Sequence, residues 1–238
     1  MHRRHFISLC AGLALAPSLV LAGDKKGQHE PEKQNEPATP GGGSAVGADP
    51  LADGRAVAVN PPVPGAADLP AVMVFFSFYC LPCYVFSQKY GIEDAVRDSL
   101  PPGKQMARYH VSAMGAPGED LTRAWSVAMA LGAEDWVAPP LFTGVQGGSV
   151  KTPDDIRQVF MTAGIRGDVY DGALASEAVR EKTEEQVRLA RAFGVTGTPT
   201  VIVNGRWRIQ NGGFDTRSEA QYRRDYVATV SALLQQQG

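Results

Sequence analysis

The sequence predicts an α/β fold with a mixed central sheet that is interrupted by an inserted block of helices. Residues 71–78 form an apolar run rich in valine and phenylalanine, which is typical of a central strand buried on both faces. Residues 119–193 have an almost wholly helical pattern. Asn204-Gly205 then joins two short apolar segments, and this dipeptide is a strong signal for a two-residue hairpin. Strand-rich parts therefore lie on both sides of the helical block.

The first part of the domain predicts a strand, a helix and a second strand. Residues 83–100 have the pattern of a helix, and Pro101-Pro102-Gly103 ends it. Residues 105–112 alternate between apolar and polar side chains, which indicates the second strand. A strand–helix–strand order requires a crossover connection, so we expect the two strands to be parallel.

Three helices are expected within the helical block. The first covers residues 120–131, and Gly132 can end it. Thr152 can cap the second helix, and Pro153 suits its first position because that N–H has no partner within the helix. The third helix covers residues 177–193 and carries charged side chains on one face.

The last part of the chain predicts the hairpin and a closing helix. Residues 200–203 and 206–209 form the two strands of the hairpin, and residues 218–234 form the helix. Residues 55–59, before the main domain, suit a short edge strand.

The first 22 residues have the pattern of an export signal. Arg3 and Arg4 form its basic start, an apolar stretch follows, and small residues lead to a cleavage site after Ala22. The arginine pair also resembles a twin-arginine signal, with an ordinary secretion signal as the open alternative. Polar residues and a proline interrupt the apolar stretch, so we expect no permanent membrane span there. The mature protein is expected outside the cytoplasm and without Cys10.

Residues 23–66 differ in composition from the rest of the chain. They contain no aromatic residue and are rich in polar residues, proline and glycine. Such a segment buries too little apolar surface to fold, so we expect a flexible tether.

The charge of the chain is close to balanced. It carries 23 Lys and Arg against 25 Asp and Glu, for a net charge of −2. This balance gives no reason to expect nucleic acid or an anionic lipid surface as a partner.

Cys80 and Cys83 are the main candidates for chemistry. They directly follow the apolar strand, and the mature chain would contain no other thiol. Two thiols at this spacing can close a disulfide and exchange it with another protein. A zinc site is one alternative, but zinc normally takes four ligands, and His110 is the one histidine outside the signal and the tether. An inert local disulfide is the other alternative.

The two cysteines fall at the junction between a strand and a helix. Cys80 would start the helix, where unpaired N–H groups and the helix dipole lower the pKa of a thiol. Cys83, one turn further on, would be more buried and act as the resolving thiol. Pro82 is tolerated between them because the first turn lacks intrahelical partners for its N–H groups.

Thr198-Pro199 is the second candidate element. A proline that enters a central strand is unusual, and a cis peptide bond would explain it. A cis bond beside the thiols would present the Thr198 backbone to a bound substrate chain. A trans proline at the start of the strand is the alternative.

Taken together, these motifs resemble the DsbA family of thiol:disulfide oxidoreductases. The resemblance covers nearly all of residues 70–215. It is carried by segments 75–84, 108–111, 120–132, 140–146, 155–160, 163–165 and 197–199.

The resemblance implies a thioredoxin fold with a mixed sheet and an inserted all-helical domain. It implies a periplasmic enzyme that donates its disulfide to newly exported, cysteine-containing proteins and is reoxidised by a quinone-linked membrane partner of the DsbB type. It also implies substrate binding by residues around the cysteines and the proline loop, namely Tyr79, Leu81, Pro82, Thr198 and Pro199. The expected division of the chain is signal 1–22, tether 23–66, first part of the fold 67–112, helical domain 113–188 and second part of the fold 189–238.

Three positions depart from the well-known members of the family. Leu81-Pro82 replaces Pro-His between the cysteines, which suggests a less acidic Cys80 and a weaker oxidant. Val74 replaces a buried acid that would exchange protons with the resolving thiol, while its basic companion is present as Arg108. Thr198 replaces valine before the proline, as in the isomerases and thioredoxin.

We therefore expect a periplasmic thiol–disulfide oxidoreductase that introduces disulfides through Cys80 and Cys83, with no cofactor other than that disulfide. A reductase or isomerase of the same fold is the alternative, and a non-catalytic peptide-binding module is a further one. Dedicated isomerases carry an N-terminal dimerisation domain, whereas residues 23–66 are too polar to form one. A monomer is therefore expected.

Overall fold

The computed structural model describes residues 49–236. The predicted export signal, Cys10 and residues 23–48 of the predicted tether lie outside the described residues. Within the described part, no helix is long and apolar enough to cross a membrane.

A five-stranded mixed sheet forms the centre of the domain. Its order is β1-β5-β4-β2-β3, and β2 is parallel to β3 while the other neighbours are antiparallel. The predicted hairpin is present between β4 and β5, where Asn204 and Gly205 both have positive φ angles of 51° and 62°. The strands are β1 (Ala56–Ala58), β2 (Val72–Phe76), β3 (Met106–His110), β4 (Thr200–Val203) and β5 (Trp207–Ile209).

Strand β1 shows that the expected tether boundary at residue 66 is wrong. Residues 56–58 pair with β5, and the side chain of Ala56 is buried. The outer edge of β5 has backbone groups that need partners, and β1 supplies them. The short edge strand expected at residues 55–59 is therefore part of the folded domain.

Eight α-helices surround the sheet within residues 49–236. The helix predicted over residues 83–100 is divided, because Gly91 adopts a left-handed conformation with φ 58°. A π-helical segment, Val85–Lys89, precedes that break. The helices are α1 (Leu81–Tyr84), α2 (Ile92–Ser99), α3 (Gly118–Leu131), α4 (Glu134–Gln146), α5 (Pro153–Thr162), α6 (Gly167–Leu174), α7 (Glu177–Ala192) and α8 (Glu219–Gln235).

The helical block contains α3 to α7, which is two helices more than the sequence pattern indicated. Helix α4 contains Pro139 and Pro140 in its interior, which lowers helix propensity locally. Helix α7 runs to Ala192, so the expected boundary between residues 188 and 189 falls inside a helix. The capping of α5 agrees with expectation, since Thr152 and Asp155 form a reciprocal capping box.

Alternate side chains of β2 point to opposite faces of the sheet and pack in different parts of the core. Val72 and Val74 pack in a cluster with α2 and α8, whereas Met73 and Phe75 pack against the end of α7. Phe76, at the end of the strand, belongs to a cluster that contains both cysteines and the apolar side chains of the helical block. The α/β class with a mixed sheet and a helical insertion is confirmed, and the insertion covers the end of β2 from which the cysteines emerge.

Candidate active site

The Cys80–Cys83 disulfide lies at the junction between β2 and α1. Cys80 is the N-cap residue of α1, and the backbone N–H of Cys83 donates to its Sγ at 3.1 Å. The two Cα atoms are 5.2 Å apart. Both side chains are buried, with 4% of Cys80 and 1% of Cys83 exposed. Cys83 is therefore the more buried of the two cysteines, as expected, although their exposed fractions differ little.

This arrangement favours a thiolate on Cys80 once the disulfide is reduced. A hydrogen bond from a backbone N–H stabilises the charged sulfur, and charge-assisted hydrogen bonds are the stronger kind. A stabilised thiolate is also a better leaving group from a mixed disulfide. The geometry therefore suits Cys80 as the sulfur that exchanges with a partner thiol.

The Thr198–Pro199 loop lies directly beside Cys80. The peptide bond between these two residues is cis, as predicted, and the carbonyl oxygen of Thr198 is 3.2 Å from the Cys80 Sγ. Asn211 Nδ2 donates to the Pro199 carbonyl at 2.8 Å, and the Tyr226 hydroxyl donates to Asn211 Oδ1 at 3.1 Å. Helix α8 thus holds the proline loop against the cysteines.

An apolar groove of about 370 Å³ opens next to the disulfide. Three of the predicted substrate-binding residues line it, namely Leu81, Pro82 and Pro199. Leu81 is 59% exposed and lies at the rim of the groove. Val85, Tyr90 and Tyr222 also line the groove. The sequence did not indicate their role, because α1, the π-helical segment and α8 come together only in the folded chain.

Tyr79 occupies a different place from the other predicted binding residues. It is half-buried, and burial raises the pKa of its hydroxyl. Its ring packs so closely on Gly115 that a Cβ atom there would lie 2.2 Å from the ring. Tyr79 therefore packs against the loop before α3, and it is not among the residues that line the groove.

Arg108 has a buried acidic partner that the sequence analysis missed. Val74 is buried, as expected, and its cross-strand neighbour Arg108 forms ion pairs with Glu93 at 3.4 Å and Asp135 at 2.8 Å. Glu93 lies on the apolar face of α2, three residues before the buried Val96. That spacing was the one signal in the sequence for a buried acid.

The Glu93 carboxylate also accepts a hydrogen bond from Ser87 Oγ at 2.9 Å. Ser87 follows Cys83 by four residues, so this bond reaches the helical turn after the resolving cysteine. Burial raises the pKa of Glu93 above its usual value, and the positive charge of Arg108 offsets only part of that effect.

We expect Glu93 to make stability depend on pH. Because its pKa is higher in the folded state than in the unfolded state, the folded protein binds its proton more tightly. The contribution of this proton to the free energy of unfolding is fully present at low pH, and it is lost as the pH rises through the folded-state pKa of Glu93. Glu93→Gln removes the titration, so its free energy of unfolding relative to wild type increases from pH 4 to pH 8. Urea unfolding of the oxidised proteins measures this difference.

The exposed Glu181→Gln variant controls for the loss of one negative charge. If Glu93→Gln and wild type kept parallel pH profiles, the buried carboxyl would not titrate as described.

The described residues contain no group of three or more His, Cys, Asp or Glu side chains placed to bind a metal ion. Structural zinc is normally held by four such ligands. Within residues 49–236, the zinc alternative therefore has no ligand set.

The fold and the site together define a thiol–disulfide oxidoreductase of the thioredoxin superfamily. A Cys-x-x-Cys disulfide begins a helix after the central strand and faces a cis-proline loop. The chain belongs to the DsbA family, since the model of the DSBA-like thioredoxin domain matches residues 71–226.

Characterised relatives agree with this assignment. The thiol:disulfide interchange protein DsbA of Dickeya dadantii is 44% identical over 195 residues, covering 81% of this chain and 92% of the relative. Escherichia coli K12 DsbA is 43% identical over 174 residues, covering 72% and 82%.

Solved structures of Proteus mirabilis DsbA show the same fold. The disulfide oxidoreductase superposes with a TM-score of 0.73 at 38% identity, over 76% of this chain and 95% of that one. A second structure, also with a TM-score of 0.73 and at 37% identity, covers 76% and 96%. It is a complex of a Cys-to-Ser variant with the non-covalently bound peptide PWATCDS.

Proposed function

We propose that this protein is a periplasmic oxidase that donates the Cys80–Cys83 disulfide to newly exported, cysteine-containing proteins. The observation that carries the proposal is the hydrogen bond from the Cys83 N–H to the Cys80 sulfur. Any interaction that stabilises the Cys80 thiolate stabilises the reduced protein, and a stable reduced form makes its disulfide a stronger oxidant.

The reaction consists of two exchanges. A substrate thiolate attacks the Cys80 sulfur, the bond between Cys80 and Cys83 breaks, and Cys83 leaves as a thiolate. The second substrate thiolate then attacks the substrate sulfur of the mixed disulfide, and Cys80 leaves. The substrate dithiol loses two electrons and two protons, which the Cys80–Cys83 pair takes up. No cofactor other than this disulfide takes part.

The groove beside Cys80 supports binding of an extended polypeptide. Its lining is almost wholly apolar, and Leu81, Pro82 and Pro199 place it next to the reactive sulfur. The Thr198 carbonyl lies 3.2 Å from that sulfur and can accept a backbone N–H of the substrate. The bound peptide PWATCDS in the Proteus mirabilis complex contains a cysteine, which agrees with this class of substrate.

The same proposal includes the setting in which the enzyme works. The predicted signal at residues 1–22 exports it, and a quinone-linked membrane protein of the DsbB type reoxidises it. It acts as a monomer.

A reductase or isomerase is the second candidate function. Pro82 directly precedes the second cysteine, and Thr198 precedes the cis proline, as in the reducing members of the superfamily. In that case the reduced, dithiol form of Cys80 and Cys83 would react with the substrate.

Two assays separate the functions. The oxidised protein is mixed with reduced, unfolded ribonuclease A, and recovery of ribonuclease activity reports disulfide donation. The reduced protein is mixed with insulin and dithiothreitol, and precipitation of the insulin B chain reports reduction. We expect rapid, stoichiometric oxidation of ribonuclease and slower insulin reduction than thioredoxin gives. Efficient insulin reduction without oxidation of ribonuclease would contradict the proposal.

A further inference from the structure

Two side chains hold the backbone of Phe78, which lies two residues before Cys80. The Phe78 N–H donates to His110 Nε2 at 3.3 Å, and the Phe78 carbonyl accepts from Gln146 Nε2 at 2.8 Å. His110 is the last residue of β3, and Gln146 is the last residue of α4. Most backbone groups are paired with other backbone groups, so a residue held by side chains at both polar groups is unusual. We call His110 and Gln146 the Phe78 clamp.

The His110 side of the clamp requires one tautomer of a neutral imidazole. The Thr122 hydroxyl donates to the Gly118 carbonyl at 3.0 Å, so its oxygen accepts from His110 Nδ1 at 2.8 Å. The proton therefore lies on Nδ1, and the lone pair of Nε2 is free to accept the Phe78 N–H. Burial lowers the pKa of His110 to about 3, which keeps the ring neutral at physiological pH. The ring also stacks on the Phe78 ring, with centroids 5.1 Å apart.

Hydrogen bonds made by Gln186 fix His110 itself. The backbone N–H of His110 donates to Oε1 of Gln186, in α7, at 2.7 Å. Gln186 Nε2 donates to the Thr122 carbonyl at 3.1 Å and to Ser126 Oγ at 2.7 Å. Three helices of the insertion, α3, α4 and α7, thus contribute to holding the backbone of Phe78 in the turn that leads to Cys80.

That turn places the reactive sulfur. The Cys80 N–H donates to the Ser77 carbonyl at 3.0 Å, which closes the turn with Phe78 as its second residue. The Cys80 Sγ must then meet both the Cys83 N–H and the Thr198 carbonyl. Hydrogen bonds weaken steeply with misalignment, so a small movement of the Phe78 backbone weakens the bond that stabilises the Cys80 thiolate.

We propose that His110 and Gln146 are positioning residues for disulfide exchange, which fix the backbone of Phe78 and thereby hold the Cys80 sulfur against the Cys83 N–H. This inference deepens the proposed function and rests on it. It gives the helical insertion a part in the chemistry, through contacts to the backbone rather than to the sulfur atoms.

The experiment measures the pKa of Cys80 and the redox equilibrium in two clamp variants. Gln146→Ala removes the donor to the Phe78 carbonyl. His110→Phe keeps an aromatic ring beside Phe78 but accepts no hydrogen bond. Thiolate absorbance at 240 nm follows the titration of Cys80 in the reduced proteins, and equilibration with glutathione gives the ratio of oxidised to reduced protein.

We expect both variants to raise the pKa of Cys80 and to shift the glutathione equilibrium toward oxidised protein by about three- to tenfold, which corresponds to the net strength of one typical neutral hydrogen bond. Because both variants loosen the backbone of the same residue, Phe78, the double variant should shift the equilibrium by less than the product of the two single effects.

Gln158→Ala is the control for Gln146→Ala, because it removes an exposed glutamine from α5 of the same insertion. It should keep the Cys80 pKa and the glutathione equilibrium of wild type.

Folded clamp variants with a wild-type Cys80 pKa and a wild-type equilibrium would overturn the inference. If His110→Phe fails to fold, the result for Gln146→Ala tests the inference by itself. Gln146 is exposed at the end of a helix, so we expect this variant to fold. Failure of the proposed function is visible separately, since the ribonuclease assay uses wild-type protein and the Cys80 pKa does not depend on the direction of exchange.

Discussion

The Cys80→Ser variant is expected to lose disulfide transfer by at least about a thousandfold, to the rate of the reaction without enzyme. A serine hydroxyl can neither form the disulfide with Cys83 nor accept a substrate thiolate. Residues 49–236 contain no third cysteine that might replace it. Recovery of activity from reduced ribonuclease A measures the loss.

Cys83→Ser is the matched variant and should behave differently. It keeps Cys80, the sulfur that lies beside the Thr198 carbonyl and the more exposed of the two, so we expect substrate to react at Cys80. Its free Cys80 thiolate can attack a disulfide of oxidised insulin, and the second insulin sulfur then leaves as a thiolate. Because no resolving thiol displaces the substrate, mixed disulfides between Cys80 and insulin accumulate and are visible on non-reducing gels. Full activity in Cys80→Ser, or mixed disulfides formed by Cys80→Ser through Cys83, would show that the roles of the two cysteines are assigned wrongly.

Trp125→Ala is expected to have the largest effect on stability, lowering the free energy of unfolding by about 3–5 kcal/mol. The Trp125 side chain is fully buried in α3, and its ring meets Phe76 edge-on with centroids 5.1 Å apart. Its Nε1–H donates to the Arg108 carbonyl at 2.9 Å, and the Arg108 guanidinium lies 4.9 Å from the ring centroid. The substitution leaves a cavity at the contact between the insertion and β2, together with an unpaired carbonyl.

Trp136→Ala is the control for this prediction. Trp136 lies in the neighbouring helix α4 but is 69% exposed, so its truncation should change stability by only about 0.5 kcal/mol. Urea unfolding of the oxidised proteins measures both variants. Equal losses for the two tryptophans would contradict the packing described for the insertion.

Local signals explain which parts of the fold were predictable from the sequence. The Asn204-Gly205 hairpin, the Thr152 cap and the strand at residues 72–76 each depend on a few neighbouring residues. Helix α4 was missed because Pro139 and Pro140 disfavour a helix locally, whereas the burial of residues such as Leu141 outweighs that cost in the folded protein.

The same distinction holds for the site. The sequence was sufficient to place Cys80 beside Thr198, because the two motifs define a recognisable pair. It did not indicate that Glu93 pairs with Arg108, or that Gln146 reaches Phe78, since these contacts join elements far apart in the chain. Such contacts depend on how the helices pack, which residue spacing alone does not determine.

A redox titration of the Cys80–Cys83 pair against glutathione is the most direct test of the central claim, that the disulfide is donated to substrates. The Cys83 N–H stabilises the Cys80 thiolate and therefore the reduced form, while Leu81-Pro82 supplies no histidine to add to that effect. We predict a midpoint clearly less negative than that of thioredoxin, which is roughly −270 mV. A midpoint at or below roughly −270 mV would contradict the oxidase and identify a reductase instead.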